Sequence, residues 1–424
     1  MSETESFIPL RRKDVIELCA AEQEDPEAFR GFGRLLLALL HHQSLDALGV
    51  LKDAYAEFNP DRDTIRIDRE VDKEALAETL NQRFEETLLA ANYRRLTTEE
   101  LGRALHEASI IPLNTRVDLD DYRDYAFYYR GGARKTIQVR NYLRKKDVEI
   151  ENLERVVVLL RFKDPEHFDN RKKKWRMEEI DFKPGKIYLY MYKNVPRNDL
   201  ELLFPNVEVS MTWRDKLLFA VPAAAGAGPM LVKVLPSLGL IAGLIVLLTM
   251  GPDYARQWNL EVGDGRAIYP VLVAVMSASF ALGGFAVKQY LNYKNKKLKF
   301  QKRVTDTLFF KNLVTNRGVL FTIVDSAEEE LGKEMVLAYH HLVRADEPLT
   351  EEELDRRVEA WIEEHTGRRV DFDVHKALER LSSFHHDGRS VIAANGGRWS
   401  AVPLGEAKAT LDRHWDALFD YSRR

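Results

Sequence analysis

Cysteine is nearly absent from this 424-residue sequence, in which Cys19 is the only thiol. An internal disulfide is therefore excluded, and a reducing compartment is expected for the folded parts. The N-terminus also lacks an apolar stretch, since Met1-Ser-Glu-Thr-Glu-Ser-Phe7 opens with two acidic residues. Neither a secretory signal peptide nor an arginine-rich transit peptide has this composition. We therefore expect the N-terminal half of the chain to stay in the cytoplasm.

A strong charge of one sign is missing as well. The chain has 63 Lys and Arg against 67 Asp and Glu, which gives a formal net charge of −4. This balance does not by itself indicate a nucleic acid or an acidic substrate as partner. Charged residues make up 31% of the chain, so most of it has the composition of water-soluble protein. Contact with lipid would therefore be confined to a small part of the sequence.

Two stretches of the sequence have almost no charge. Residues 267–287 contain no charged side chain, and Lys233 is the only one in residues 217–250. A helix over 267–287 would be about 31 Å long, the thickness of the hydrocarbon core of a bilayer. Prolines break the other stretch, so two interpretations remain open for it. Either a single span at 231–250 follows an interfacial or re-entrant segment 217–230, or two spans flank Lys233.

Basic residues after the second stretch decide the predicted topology. Residues 288–303 contain seven basic side chains and no acid, which places this flank in the cytoplasm. Three spans would put the N-terminal half outside with no signal to take it there. We therefore predict two spans, 231–250 and 267–287, in a multi-pass protein of the inner membrane with both termini cytoplasmic. The basic side chains, which would set the topology or bind anionic lipid head groups, are Lys288, Lys294, Lys296, Lys297, Lys299, Lys302 and Arg303.

The predicted fold is a multi-domain α+β membrane protein. Apolar residues recur at helical spacing in the N-terminal region, and β-rich runs replace them after about residue 120. The predicted parts are a helical N-terminal region (1–118), a small antiparallel β-sheet (α+β) domain (119–210), a two-helix transmembrane hairpin (211–290), and a cytoplasmic helical and winged-helix-like domain (291–424).

Four β-rich runs predict the sheet. They occupy residues 125–129, 135–139, 156–160 and 187–192, and Gly131-Gly132 separates the first two. Turn-forming residues between such runs favour an antiparallel arrangement with four strands. A short helix is expected after them, at residues 198–204.

The C-terminal region has the pattern of a winged helix. Three helices are predicted near 327–344, 350–365 and 373–384, and Asn395-Gly-Gly marks the turn of a hairpin before a last helix. Residues 328–424 contain 21 acids and 14 Lys plus Arg, a net charge of −7. DNA binding depends on a basic surplus, so we expect this module to bind protein and not nucleic acid.

Several segments in a fixed order carry a resemblance to a known family. They are Tyr128-Tyr-Arg-Gly131, Tyr192-Lys-Asn-Val-Pro-Arg-Asn-Asp-Leu-Glu-Leu-Leu-Phe-Pro205, Tyr293-Lys-Asn-Lys-Lys-Leu-Lys299, Leu308-Phe-Phe-Lys-Asn-Leu313, Asp325-Ser-Ala-Glu-Glu329 and Lys333-Glu-Met-Val-Leu-Ala-Tyr339. In order and content they resemble the family called domain of unknown function 3754, which includes transmembrane protein 143-like proteins. The resemblance implies a two-span membrane protein without an established activity. The acidic N-terminus favours a bacterial member.

No metal or cofactor site is predicted. The adjacent histidine pairs, of which His340-His341 is one, point about 100° apart on a helix and cannot share an ion. The segment Asn59-Pro-Asp-Arg-Asp63 with Glu70 resembles a calcium loop, but Thr64 stands where the loop requires glycine. A turn that leads into a strand is the favoured interpretation of this segment.

No catalytic residue is predicted either. The sequence has no Walker loop, dinucleotide-binding glycine motif or nucleophile elbow, and carboxylate runs such as Glu328-Glu-Glu330 are interpreted as solvated surface. Arg130, before Gly131-Gly132, either clamps a phosphate or carboxylate or caps backbone carbonyls, and the structural role is favoured. The other possible anion-binding residues form a basic loop: Arg171, Lys172, Lys173 and Lys174.

The favoured function is that of a membrane-anchored interaction or regulatory protein that faces the cytoplasm. The expected partners are membrane lipids and a protein partner or a second copy of the chain. One alternative is a subunit of an oligomeric channel or transporter, with Lys233 as its only candidate gate. The other is a membrane-bound enzyme that acts on a lipid-linked or anionic substrate bound at Arg130 and the basic loop.

Overall fold

The structure is a computed structural model of the chain, and it separates into two compact units. It describes residues 5, 7–62, 72–106, 114–141, 144–169, 182–210 and 311–419, together with scattered positions between 249 and 302. The first unit consists of Met1–Ile110, Val117–Asn206 and Phe310–Arg424, and the second of Ile111–Arg116 and Val207–Phe309.

Helices and strands alternate irregularly along the described residues. The helices are α1 (Arg12–Ala21), α2 (Pro26–Ala56), α3 (Lys73–Ala90), α4 (Thr98–His106), α5 (Arg317–Val343), α6 (Glu351–Thr366), α7 (His375–Ser383) and α8 (Leu404–Ala417). The strands are β1 (Arg94–Arg95), β2 (Asn114–Arg116), β3 (Tyr122–Asn141), β4 (Arg144–Phe162), β5 (Ile187–Pro196), β6 (Glu208–Ser210), β7 (Asn312–Thr315), β8 (His385–His386), β9 (Arg389–Ser390), β10 (Ile392–Asn395) and β11 (Arg398–Ala401). Short 3-10 helices cover Leu119–Asp121, Pro165–Phe168 and Arg197–Leu203.

Local sequence explains where several helices begin and end. The Asp25 carboxylate accepts a hydrogen bond from Ala28 N at 3.0 Å, and Pro26 occupies the first turn of α2. Thr350 and Glu353 form a reciprocal capping box at the start of α6. Gly367 ends the same helix with φ +67°, a conformation that costs glycine little. These polar caps satisfy backbone groups that a helix end leaves unpaired.

The first unit contains a five-stranded antiparallel sheet in the order β1-β3-β4-β5-β7. The prediction of two separate strands at 125–129 and 135–139 is wrong, because both lie in β3. Gly131 has φ +68° but does not start a turn. The pairing of β3 with β4 keeps its register from Arg130↔Arg155 to Gly132↔Leu153. The two strands meet where Asn141 pairs with Arg144.

Two hydrophobic cores lie in the first unit, and α2 and α5 contribute to both. The N-terminal half of α2 and the C-terminal half of α5 pack with α1, α6, α7 and α8. The other halves of α2 and α5 pack with α3 and one face of the sheet. The shared helices therefore couple the sheet to the C-terminal helices. At 27 residues, α5 is about 40 Å long, enough to cross both cores.

A few particular side chains form the close contact between α2 and α5. The Phe32 and Tyr339 rings stack with their centroids 4.1 Å apart. A Cβ atom at Gly332 would lie 2.8 Å from Leu37 Cδ2, so any larger residue there would force the Leu37 side chain to move. Tyr339 OH also donates to Val402 O at 3.0 Å, which ties the helix pair to the segment before α8.

The C-terminal part has the element order of a winged helix. After α5, Leu349 exchanges two backbone hydrogen bonds with Trp399 of β11, at 2.9 and 2.7 Å. Helices α6 and α7 follow, and β10 pairs with β11 across Gly396 and Gly397, both with positive φ. The bounds of these helices agree with the predicted ones within a few residues at most ends, although α5 begins ten residues earlier than the predicted 327.

The predicted transmembrane hairpin is wrong for the described part of the chain. A span requires a helix of about 20 predominantly apolar residues, and none of the helices formed by described residues is long and apolar enough to cross a bilayer. The multi-pass topology, the inner-membrane location and the channel alternative depended on that hairpin. Most of 231–250 and 267–287, and all of 217–230, lie outside the described residues. In the second unit, β2 pairs with β6.

Asn316 joins α2, β5 and the start of α5. Its Oδ1 atom accepts hydrogen bonds from Leu189 N and Tyr55 OH, both at 3.2 Å, and its Nδ2 donates to Asp61 Oδ2 at 2.5 Å. The side chain is buried, with φ +49° and ψ −124°. These angles are those of the first central residue of a type II′ turn, where glycine is preferred. The side chain therefore offsets an unfavourable backbone conformation.

We expect Asn316→Ala to destabilise the protein by about 2–4 kcal/mol, because buried polar groups lose partners and the strained backbone keeps a Cβ atom. Asn316→Gly loses the same hydrogen bonds without the strain and should be about 1 kcal/mol more stable than the alanine variant. Urea unfolding measures both differences, and Tyr55→Phe is the control that removes one hydroxyl. An alanine variant as stable as the unaltered protein would contradict this role.

The carboxylate of Glu22, at the end of α1, is surrounded by groups from α5 and α6. Trp361 Nε1 donates to it at 2.7 Å, Arg344 forms an ion pair with it, and His340 Nε2 lies 3.4 Å away. Gln23 Nε2 donates to the Nδ1 atom of His340 at 2.8 Å. His340 is almost completely buried, and burial lowers its pKa to about 4.

The contribution of His340 and His341 to stability should fall as the pH falls below about 6.5, the ordinary pKa of histidine. Burial also lowers the pKa of His341 to about 3, so the unfolded chain takes up protons on both histidines before the folded protein does. Their contribution to stability is complete above pH 6.5 and decreases between pH 6.5 and about 3, the lower of the two folded-state pKa values. Unfolding free energies over this range should decline less steeply for His341→Phe, whereas the exposed control His385→Phe should follow the unaltered protein. Parallel curves for all three would exclude this cause.

Candidate functional site

Arg130 lies in β3 and contacts the N-terminal segment of the chain. Its Nη1 atom donates to Ala91 O at 3.1 Å. The guanidinium also lies between two aromatic rings, 5.4 Å from the centroid of Phe7 and 5.1 Å from that of Tyr93. Such cation–π contacts hold a flat guanidinium in a fixed orientation. Arg130 therefore holds the Phe7 ring in place and also donates a hydrogen bond to the backbone carbonyl of Ala91.

The other predicted basic residues are not brought to Arg130. Arg171, Lys172, Lys173 and Lys174 lie outside the described residues. Of the basic run after residue 287, the helical and exposed positions Lys288, Lys294 and Lys302 are described, whereas Lys296, Lys297, Lys299 and Arg303 are not. Of these predicted residues, Arg130 alone has a described environment that suggests a site.

The N-terminal segment, which includes Glu5, Phe7 and Ile8, is held by backbone hydrogen bonds of Glu5 like an added strand. Glu5 N donates to Arg369 O at 2.9 Å, and Asp371 N donates to Glu5 O at 2.9 Å. Glu5 thereby forms a parallel bridge with Val370, after the end of α6. Its carboxylate accepts a hydrogen bond from Arg368 Nη1 at 2.7 Å. Backbone and side chain of Glu5 are therefore both recognised.

Ile8 is clamped by a buried ion pair on α5. Its N–H donates to Glu330 Oε2 at 3.2 Å, and its carbonyl accepts from Lys333 Nζ at 2.8 Å. Lys333 and Glu330 are 2.8 Å apart, with side chains 3% and 5% exposed. The Ile8 side chain belongs to the first core, at 2% exposure. A buried pair is tolerated when remaining hydrogen bonds are made, and here the backbone of Ile8 makes them.

A second buried acid lies one turn further along α5. Glu334 accepts from Asn92 Nδ2 at 2.9 Å, and its other oxygen has no partner among the described residues. Burial raises the pKa of Glu334 to about 7. Lys376 of α7 donates to Leu89 O at 2.8 Å and lies near the same asparagine. Polar groups of α5 thus bind the N-terminal segment, the α3–β1 connection and α7 together.

A groove of about 550 Å³ opens beside the segment. Two of the four arginines around the groove form ion pairs with acids of the same surface. Arg94 pairs with Asp371 at 3.0 Å, and Arg368 pairs with Glu5 at 2.7 Å. One oxygen of Glu5 is buried without a partner among the described residues. The residues around the groove are Glu5, Phe7, Arg94, Tyr129, Arg130, Gly131, Gly132, Glu151, Glu154, Gly367, Arg368, Arg369 and Asp371.

Helix α7, which would be the recognition helix of a winged helix, is occupied by contacts within the protein. Lys376 reaches the C-terminal end of α3, and Arg380 Nη1 donates to Gln43 Oε1 on α2 at 3.2 Å. His375 lies 3.3 Å from Glu351. These side chains are not free to contact base edges in the arrangement described here.

Reasoning from the sequence missed the segment and its clamp. Glu330 was assigned to solvated surface, but it is buried, and Glu328 forms an ion pair with Arg12 at 2.9 Å. A signal existed, because Lys333 and Glu334 interrupt an otherwise apolar helix. Charges in a buried helical stretch require partners, but the sequence does not say which distant residue supplies them.

The described residues contain no group of three or more His, Cys, Asp or Glu side chains that could hold a metal ion. His340 and His341 lie with ring centroids 5.0 Å apart at an angle of 81°. The calcium-like segment is described only up to residue 62, and residues 63–71 lie outside the described part.

Fold and groove define an α+β protein in which a long helix clamps the N-terminal segment against a sheet and a winged-helix-like module. Residues 153–318 match the family described as "Protein of unknown function (DUF3754)", so this region of the chain is similar to that family. The match confirms the resemblance noted in the sequence, while the narrower likeness to transmembrane protein 143-like proteins stays a prediction. Comparison with curated proteins gave no match, and neither did comparison with solved structures.

We expect Lys333→Met to cost about 3–5 kcal/mol, because Glu330 is left charged and buried while the carbonyl of Ile8 loses its donor. The double variant Glu330→Leu/Lys333→Met leaves no unpaired charge and should be more stable than Lys333→Met alone. Urea unfolding gives the energies, and amide hydrogen exchange at Ile8 reports release of the segment. Arg83→Met, which breaks the exposed pair with Glu86, should cost under about 1 kcal/mol. A Lys333→Met variant equal to this control would contradict the clamp.

Proposed function

We propose that the protein is an interaction protein with a regulatory role, which binds an extended segment of a protein partner at the surface that its own Glu5, Phe7 and Ile8 occupy. The observation that carries the proposal is the parallel bridge of Glu5 with Val370, continued by the two hydrogen bonds to the backbone of Ile8. Strand addition of this kind draws affinity from the main chain and specificity from side-chain pockets.

Three side chains of the N-terminal segment define the motif that this surface favours. The carboxylate of Glu5 pairs with Arg368, and the ring of Phe7 packs on the guanidinium of Arg130. Ile8 fills an apolar position of the core. A partner segment would therefore present an acid, an aromatic residue two positions later and an aliphatic residue directly after it.

The chain's own segment would act as an internal competitor. A tethered segment has a high effective concentration, on the order of millimolar for a short connection. A partner gains access when the segment is released, so any change that weakens the segment raises the apparent affinity for the partner. This competition is the regulatory element of the proposal.

A protein partner is favoured over nucleic acid by charge and by geometry. Residues 328–424 have a net charge of −7, which disfavours a polyanion. Lys376 and Arg380 of α7 are engaged with α2 and α3, as described above. The groove at Arg130 also has balanced charge, since its arginines face carboxylates of the same surface.

The test uses the full chain and a fluorescent peptide with the sequence of residues 2–11. Glu5→Ala/Phe7→Ala weakens the internal competitor, so this variant should bind the peptide about tenfold more tightly than the unaltered protein in fluorescence anisotropy. A peptide in which the phenylalanine is replaced by alanine is the matched control and should bind weakly. Leu45→Ala, at an exposed position of α2, should leave binding unchanged.

A further substitution separates specific from unspecific binding. Arg368→Gln, introduced into the double variant, should weaken binding of the unaltered peptide but not of a peptide with glutamine in place of Glu5. Equal affinities of the unaltered protein and the double variant, or no dependence on the peptide's phenylalanine, would refute the proposal. Circular dichroism of each variant establishes that it is folded.

A further inference from the structure

A second groove, separate from the one at Arg130, lies between α6 and the wing. It has a volume of about 390 Å³ and is bordered by the loop before α6, one face of α6 and β11. Glu353, Arg356, Arg357 and Ala360 lie on one face of α6, at spacings of three, four and seven residues. Arg398 of β11 borders the groove from the opposite side.

Arg398 and Glu353 are fixed by contacts within the protein. Arg398 Nη1 donates to Pro348 O at 2.8 Å and lies 3.4 Å from Glu353 Oε2. The same carboxylate oxygen accepts from Thr350 N at 2.9 Å. This backbone hydrogen bond, with Arg398 and Arg356 nearby, lowers the pKa of Glu353. The Glu353 carboxylate is therefore already bound within the protein. Its contact with Arg398 and the hydrogen bond from Arg398 to Pro348 O keep Arg398 beside the groove.

Arg356 and Arg357 are exposed and form no hydrogen bond or ion pair with another described residue. Each guanidinium carries five N–H donors in a planar fork. Two adjacent guanidiniums repel one another, and a bound anion removes that repulsion. The groove thus combines free donors with a net positive charge, since three arginines are opposed by Glu347 and Glu353.

We propose that the groove lined by Arg356, Arg357 and Arg398 binds a phosphate monoester group. Forked guanidiniums form bidentate, charge-assisted hydrogen bonds with phosphate oxygens. A dianion with three terminal oxygens uses more of the available donors than a carboxylate does. The volume suits a phosphorylated side chain or a small phosphorylated metabolite, and both share this chemistry.

Nucleic acid fits the site less well. Residues 328–424 as a whole carry a net charge of −7, and only three of their basic residues border this groove. A duplex presents a long row of phosphates, and its affinity depends on many basic contacts along that row. The groove offers contacts to one phosphate group only.

Isothermal titration of the full chain tests the proposal with inorganic phosphate, a phosphoserine peptide, a glutamate peptide and a short DNA duplex. Arg356→Gln/Arg357→Gln should lower the affinity for phosphate and for the phosphoserine peptide by about tenfold or more. The control Arg389→Gln/Arg413→Gln removes the same charge at exposed positions of the same module. Because salt screens the interaction of a bound anion with distant exposed charges, this variant should change the affinity by less than about twofold. Phosphate binding with this pattern supports the site.

Three results would overturn the proposal. They are no phosphate binding by the unaltered protein, equal losses in the two double variants, or tighter binding of the duplex than of the phosphoserine peptide. A glutamate peptide that binds as well as the phosphoserine peptide would refute the preference for phosphate. Preference for inorganic phosphate over the peptide would identify a small phosphorylated ligand as the occupant.

Discussion

Contact between α2 and α5 over most of their length is the constraint on which the rest of the first unit depends. Both cores use these two helices, so a change in their separation would disturb the sheet and the C-terminal helices together. Gly332 and the Phe32–Tyr339 stack fix the distance between them. Protein interiors tolerate small changes of volume poorly, so the pair is a rigid support for Ile8, which α5 binds.

Burial of α5 creates the electrostatic problem that the N-terminal segment solves. Glu330, Lys333 and Glu334 lie in the middle of this helix and are nearly inaccessible to water. Charges in such positions are stable only with close partners. Ile8 and Asn92 supply them, one from the N-terminal segment and one from the α3–β1 connection. The contacts that bind the N-terminal segment to α5 are therefore also contacts that stabilise the buried charges of α5.

The C-terminal part shows how much local pattern determines. Helices α6 and α7 and the β10–β11 hairpin were all predictable, because the Thr350 capping box, Gly367 and the Asn395-Gly-Gly turn act over a few residues. Gly131-Gly132 illustrates the limit of such signals. The pair has the composition of a turn, yet β4 provides a continuous pairing partner, and the ladder of hydrogen bonds outweighs the local preference.

The sequence by itself determined helices α6 and α7, the turn of the β10–β11 hairpin and the family resemblance of residues 153–318, since each depends on short-range order or on short sequence motifs. It did not reveal that Glu5, Phe7 and Ile8 bind to residues more than 120 positions away, or that Lys376 and Arg380 of α7 contact α3 and α2. Charge-free stretches suggested a membrane hairpin, which the described helices do not contain. Only the tertiary structure revealed the groove at Arg130. Its lining residues come from distant parts of the chain, and no sequence periodicity indicates that such residues lie close together.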